Sequence, residues 1–141
     1  EWAIVRYLRK NIDTHFEYDS SKMLQGCSKK RPDIFFDLAK HCVIVEIDEH
    51  QHKSYEDSCE CARINEIVNG IGGKPTIFIR YNPDNFMISG KKCKISQANR
   101  EIQLVKWLEH YESFENIKNP LTVHYLYYDE KLSEIVGVEP Y

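Results

Sequence analysis

Two neighbouring segments decide the fold: Arg31-Pro32-Asp33-Ile34-Phe35-Phe36-Asp37-Leu38 and Val43-Ile44-Val45-Glu46-Ile47-Asp48. Both are rich in β-branched and aromatic residues and alternate with period two, the signal of a strand. Successive strand side chains point to opposite faces. Ile34, Phe36 and Leu38 therefore share one face of the first strand, and Val43, Val45 and Ile47 one face of the second. The opposite faces carry Asp33, Phe35 and Asp37, and Ile44, Glu46 and Asp48. A hairpin turning at Ala39 to Cys42 must bring the apolar sides together, because a slip of one residue would turn one of them outward. Asp33 then stands opposite Glu46 or opposite Asp48, with directly opposed Cβ atoms roughly 5 Å apart. Three carboxylates drawn to one spot repel, and a divalent cation, which takes oxygen ligands, relieves the repulsion. The spacing predicts a metal site of Asp33, Glu46 and Asp48. Alternating acids on a strand more commonly mark a solvated face. Here Phe35 and Ile44 lie among the acids, which argues against a fully exposed face, and Pro32 suits the start of a strand.

Magnesium or manganese held by two or three carboxylates keeps positions for water and for a substrate phosphate. Such an ion lowers the pKa of bound water and neutralises phosphodiester charge in the transition state. The next residues are Glu49-His50-Gln51-His52-Lys53. His52 or His50 could move a proton near neutral pH. Gln51 could hold the attacking water, and Lys53 could meet a phosphate. Carboxylates followed by an imidazole and an amide suit hydrolysis of a nucleic-acid backbone.

Pro32-Asp33 followed by Glu46-Ile47-Asp48 resembles the PD-(D/E)xK nuclease signature, with Asp48 where that superfamily usually has Lys. The pattern Glu46-x-Asp48-x-x-Gln51-His52 is similar to the branch that holds very-short-patch-repair-type endonucleases, and to homing endonucleases with a Glu-Asp-x-His-Asp site. Members of that branch often open with a helix reading Glu, six residues, then Leu-Arg, which Glu1 to Leu8-Arg9 repeats. The resemblance, spanning Glu1 to about Asn85, implies a single restriction-endonuclease-like α/β domain with a mixed central sheet flanked by helices. It implies a metal-dependent DNA endonuclease in which Glu1 is an outer carboxylate. Arg63 on the following helix and Arg80 at the end of the next strand belong to the same pattern. Each Arg could pair with the carboxylates or clamp a phosphate.

At 141 residues the chain is expected to be one domain, 1–141, large enough for a real core. No apolar run is long enough to span a bilayer and no secretory signal is visible, so an intracellular protein, cytoplasmic or nuclear, is expected. The first residue is Glu1 rather than Met, which leaves room for a longer chain. The net charge of −3 is unusual for a protein that binds nucleic acid mainly through charge. Basic residues are nonetheless clustered, in Lys29-Lys30-Arg31 and in Lys91-Lys92 with Lys94. Five cysteines without a secretory signal argue against a disulfide framework. Cys27, Cys59, Cys61 and Cys93 could form a structural zinc site, but their spacing is not that of a standard knuckle, and ordinary thiols are the expectation.

Apolar spacing predicts a helix from Glu1 to Lys10, with Trp2, Val5, Leu8 and Ile12 inward. A short strand is expected at His15 to Tyr18, a helix from Cys59 to Asn69 after a Ser58 cap, and a strand from Thr76 to Arg80. Phe86 to Ile95 reads as a loop. Gln97 to Tyr111 reads as an amphipathic helix with Ile102, Val105, Leu108 and Tyr111 on one side. Leu121 to Tyr127 reads as a strand, and Lys131 to Val138 as its hairpin partner or a short helix. Two other functions compete with the endonuclease: a non-cutting nucleic-acid-binding module of the same fold, supported by Asp48 in place of Lys, and a zinc-stabilised interaction domain.

Overall fold

A computed structural model of the chain describes residues 2–18, 33–48, 69, 72, 74–114 and 119–138. It is an α/β protein built on a mixed six-stranded sheet. Helix α1 (Trp2–Asn11) leads into β1 (Glu17–Tyr18), β2 (Ile34–Asp37) and β3 (Cys42–Ile47). After β4 (Thr76–Tyr81) come the short strands β5 (Phe86–Ile88) and β6 (Lys91–Cys93). Helix α2 (Gln97–Glu112) then precedes β7 (Leu121–Tyr128) and β8 (Lys131–Val138). The sheet order is β1-β2-β3-β4-β7-β8, and β5 and β6 form a separate ribbon. The first three strands are an antiparallel meander. Strands β3, β4 and β7 run parallel, and β8 returns antiparallel along β7, so 131–138 is a hairpin strand and not a helix.

The period-two pattern explains the core. Ile34, Phe36, Val43, Val45, Ile47, Ile77, Ile79 and Tyr81 all turn to one face, where they pack with Val5 and Leu8 of α1 and Leu104 and Leu108 of α2. Across the meander Ile34 pairs with Val45, Phe35 with Ile44 and Phe36 with Val43. That register keeps Ile34, Phe36, Val43, Val45 and Ile47 together on the helix-covered face, as the cost of a one-residue slip requires. The opposite face holds a second, smaller apolar cluster of Ile44, Phe78 and Val123, flanked by Phe35, Leu121 and Tyr125.

Two local readings need correction. Residues 86–95 are not all loop: Ser89 (φ 51°) and Gly90 (φ 77°) make a two-residue turn between β5 and β6. Positive φ at both positions matches the twist of a hairpin. The ribbon is anchored by the β7–β8 turn, where Asp129 Oδ1 accepts from the Met87 amide, and the Glu130 amide donates to the Met87 carbonyl. Helix α2 presents Arg100, Leu104, Leu108 and Tyr111 inward, while Ile102 is 42% exposed. The buried stripe begins at a charged residue, which an apolar count passes over. Ser96 caps this helix by accepting the Asn99 amide at 3.2 Å.

A buried polar chain ties α2 to the sheet. His41 Nε2 lies 2.7 Å from the Tyr111 carbonyl, and the Tyr111 hydroxyl lies 2.7 Å from His124 Nδ1. His124 Nε2 lies 2.8 Å from Ser133 Oγ. Burial, and then the charge of His110, lower the His124 pKa from 6.5 to about 4. The stability that a neutral His124 contributes is therefore fully present above pH ~6.5 and is lost as the pH falls through about 4. Between those limits the loss should be about 3 kcal/mol. Urea midpoints at neutral pH and near pH 4.5 should show a steeper acid loss in wild type than in His124→Gln; equal slopes would refute this.

Candidate active site on the acidic sheet face

The acids of the meander lie on the face opposite the helices, toward the carboxyl ends of β3 and β4. Asp33 is 4% exposed, Glu46 1% and Asp48 0%. This is a buried acidic group, not a solvated stripe. The β2–β3 register resolves the two pairings open from sequence: extended by one residue beyond Ile34↔Val45, it sets Asp33 level with Glu46. Asp33 Oδ2 accepts the Ile47 amide at 2.9 Å, which fastens its carboxylate to β3. In the parallel pairing Glu46 is level with Arg80, and Arg80 with Tyr125. A single row across the sheet thus carries Asp33, Glu46, Arg80 and Tyr125.

Asp48 follows the last residue of β3, and its amide donates to the Tyr81 carbonyl at 2.7 Å, continuing the ladder toward β4. Its Oδ2 is met by Arg80 Nε at 2.8 Å and by the Tyr128 hydroxyl. Burial, and then the Asp48 carboxylate, push the Tyr128 phenol well above its ordinary value, so it remains a proton donor. Tyr128 reaches this face because Tyr127 takes φ 67° and drops out of the β7–β8 register, which resumes at Tyr128↔Lys131. Tyr127 packs with Tyr81 and Phe86 on the helix side, while Tyr128 contacts Tyr125 on the acidic side. A strict alternation along β7 hides this role of Tyr128. The signal that could have pointed to it was weak: four residues, Tyr125-Leu126-Tyr127-Tyr128, with two adjacent large rings before a turn.

Arg80 is therefore buried against Asp48, the carboxylate-pairing alternative of the two read from sequence. Asp48 directs Oδ2 to two donors, which is a poor disposition for that oxygen to serve a cation. Asp33 and Glu46 are hard oxygen ligands on adjacent strands, and magnesium is commonly held by one or two carboxylates with waters and phosphate completing its shell. Among the described residues no group of three or more His, Cys, Asp or Glu is arranged to hold a metal ion. The fit to a divalent ion thus rests on the Asp33–Glu46 pair, with Asp48 holding Arg80 and Tyr128.

Asp37, the acid within β2, has a different environment. Asp37 sits at the far end of β2, exposed, and pairs with Lys74 Nζ at 2.6 Å. Lys74 holds its carboxyl below the usual range. Cys42, buried at the start of β3 and not in the turn, lies 3.7 Å from Asp37 Oδ1, and burial pushes its thiol up to about 11. Cys93 is a half-buried free thiol in β6. The remaining site expectations lie outside the described residues: Glu1, Gln51, His52 and Lys53, the basic residues Lys29, Lys30, Arg31 and Arg63, and the thiols Cys27, Cys59 and Cys61. The expected helix from Cys59 lies outside them too, except that Asn69 is helical and accepts the Gly72 amide at 3.2 Å.

No helix among the described residues is long and apolar enough to cross a membrane. No protein-family model, curated protein or solved structure matches the chain.

Proposed function

We propose that this domain is a magnesium- or manganese-dependent endonuclease that hydrolyses DNA phosphodiesters. The observation that carries the reading is the burial of Asp33 and Glu46 level with each other at one end of a sheet, with Asp48 beside them. Buried carboxylates are costly to gather, and their persistence together suits a site for a cation and a phosphate. The order of elements supports a restriction-endonuclease-like arrangement: α1, an antiparallel meander β1–β2–β3, then β4 parallel to β3. In this reading the ion, when bound, supplies Lewis-acid stabilisation of the phosphate and a more acidic water.

The chain's own groups divide the remaining work. Asp33 and Glu46 hold the ion, with Asp33 fixed by the Ile47 amide. Asp48 keeps Arg80 in place beside the phosphate position, and Tyr128 fixes Asp48 from the other side. Gln51 and His52, from the segment after β3, orient water and transfer a proton. Glu1 is the outer carboxylate, and Lys29, Lys30, Arg31, Lys53 and Arg63 contact the DNA backbone. His52→Ala is expected to slow cleavage about 10²–10⁴-fold, and His50→Ala far less. Single-turnover assays on a duplex measure this; equal losses from both would reject the assignment.

A second reading is a non-cutting DNA-binding module of the same fold. The engagement of Asp48 with Arg80 and Tyr128 favours it, because the position that carries Lys in the resembling superfamily is here committed to internal pairing. Supercoiled plasmid incubated with and without Mg²⁺ or Mn²⁺ separates the two: nicking or linearisation that depends on the ion supports the endonuclease, and duplex binding without cutting supports the module.

A further inference from the structure

A second site stands apart from the carboxylates. A cavity of about 340 Å³ opens between β6 and the start of α2, lined by Asn85, Lys92, Cys93, Lys94, Ile95, Ser96 and Arg100. Its charged lining is entirely basic. Lys92 and Lys94 are exposed, and among the described residues neither has a salt-bridge partner.

Arg100 is the unusual member. It is only 2% exposed, yet its hydrogen bonds all go to uncharged carbonyls. Nε donates to Ile95 at 3.1 Å, and Nη1 donates to Asn82 at 3.1 Å and Asp84 at 2.8 Å. Among the described residues it faces no carboxylate, and Nη2 has no hydrogen-bond partner. The rings of Phe86 and Tyr127, each 5.2 Å from the guanidinium carbon, offset part of the charge. A buried guanidinium without a counter-ion is costly, and the cost falls when an anion meets it. Nε and Nη1 are used by these carbonyls, so the guanidinium keeps the two N–H bonds of Nη2 as charge-assisted donors for an oxyanion. The amino end of a sixteen-residue helix lies at the same cavity and adds to the attraction for negative charge.

We propose that this cavity binds a phosphate group, with Arg100 Nη2 as its buried donor and Lys92 and Lys94 closing over it. Arg100 bonds the carbonyls of Asn82 and Asp84, just past β4, while Asp48 bonds the carbonyl of Tyr81, the last residue of β4. The basic cavity and the buried carboxylates thus lie at the same end of the parallel strands, where ligands of such sheets bind, the cavity on the helix side and the carboxylates on the opposite face. A phosphodiester lying along this rim would place one phosphate at the carboxylates and a flanking one in the cavity. That source of the phosphate rests on the endonuclease reading; the affinity of the cavity for phosphate does not.

The test uses the exposed lysines, since Arg100 variants would also lose packing. Thermal unfolding is followed in inorganic phosphate and in chloride at equal ionic strength. Phosphate about tenfold above its Kd should raise Tm by about 4 °C over chloride in wild type and in Glu46→Ala. The Lys92→Ala/Lys94→Ala variant should lose most of that gain while keeping its Tm in chloride. A gain no larger than in chloride, or an equal gain in the double variant, would overturn the proposal. Duplex binding then identifies the source. For a DNA phosphate, the double variant should bind duplex more weakly with a salt dependence reduced by about two phosphate contacts. Unchanged duplex affinity would overturn the DNA source and leave a free phosphoryl compound as the ligand. Absence of plasmid cutting with the phosphate effect intact would remove the endonuclease and keep the cavity.

Discussion

Asp33→Ala and Glu46→Ala should each reduce metal-dependent plasmid cleavage by about 10³-fold or more while leaving the protein folded. In the proposed site each carboxylate would offer the ion an oxygen, and losing either would leave a single carboxylate to hold it. Neither change should unfold the chain. Both side chains are buried level with each other, so removing one relieves like-charge repulsion and offsets the small cavity left behind. The isosteric variants Asp33→Asn and Glu46→Gln separate charge from packing and should be equally inactive. Cleavage rates in Mg²⁺ and Mn²⁺, with urea unfolding of the same preparations, are the measurements. Wild-type nicking by either alanine variant would end the metal-site reading.

The largest effect on stability is expected at Arg80. Arg80→Ala leaves the Asp48 carboxylate in the sheet without the guanidinium at 2.8 Å, and should cost about 3–5 kcal/mol. Tyr128→Phe removes only the hydroxyl that donates to the same oxygen and should cost about 1.5–3 kcal/mol. If the two side chains act through Asp48, removing Asp48 as well must restore part of the loss. Arg80→Ala/Asp48→Ala should therefore be more stable than the sum of its single changes by about 1–3 kcal/mol. Denaturant titration of the four proteins tests this; strict additivity would mean that Arg80 stabilises the sheet independently of Asp48.

Much of this arrangement follows from local pattern. The alternation of Ile34, Phe36, Val43, Val45 and Ile47 sufficed to pair β2 with β3 and to fix their faces, because a one-residue slip turns apolar side chains outward, while the choice of Glu46 over Asp48 opposite Asp33 came from the structure. Asp33, Glu46 and Asp48 were legible as neighbours for the same reason, since the side chains between them have to face the core. The helical spacing of Val5, Leu8 and Ile12 likewise follows from residues a few positions apart, whereas in α2 the same count finds Leu108 and Tyr111 but takes Ile102 in place of Leu104. What two adjacent strands share can be read from period and turn alone.

Contacts between distant segments lie beyond that reach. Arg80 and Asp48 are 32 residues apart and Tyr128 and Asp48 are 80 apart, and no periodicity relates them. Which of its two readings Arg80 takes depends on β4 lying parallel to β3 in the register that sets it level with Glu46. Tyr128 depends further on one residue, Tyr127, whose positive φ breaks the alternation that a sequence reading must assume. Arg100 is a charged residue near the start of α2 that apolar periodicity does not single out. It is buried because the chain leaving β4 offers it the carbonyls of Asn82 and Asp84, and the rings of Phe86 and Tyr127 close over it. The sequence by itself determined that β2 pairs with β3 and which acids that pair brings together, because apolar burial is enforced residue by residue. Only the tertiary structure decided which partners those acids and arginines meet, because a charge in a low-dielectric interior is governed by whichever groups the whole fold brings within hydrogen-bond reach.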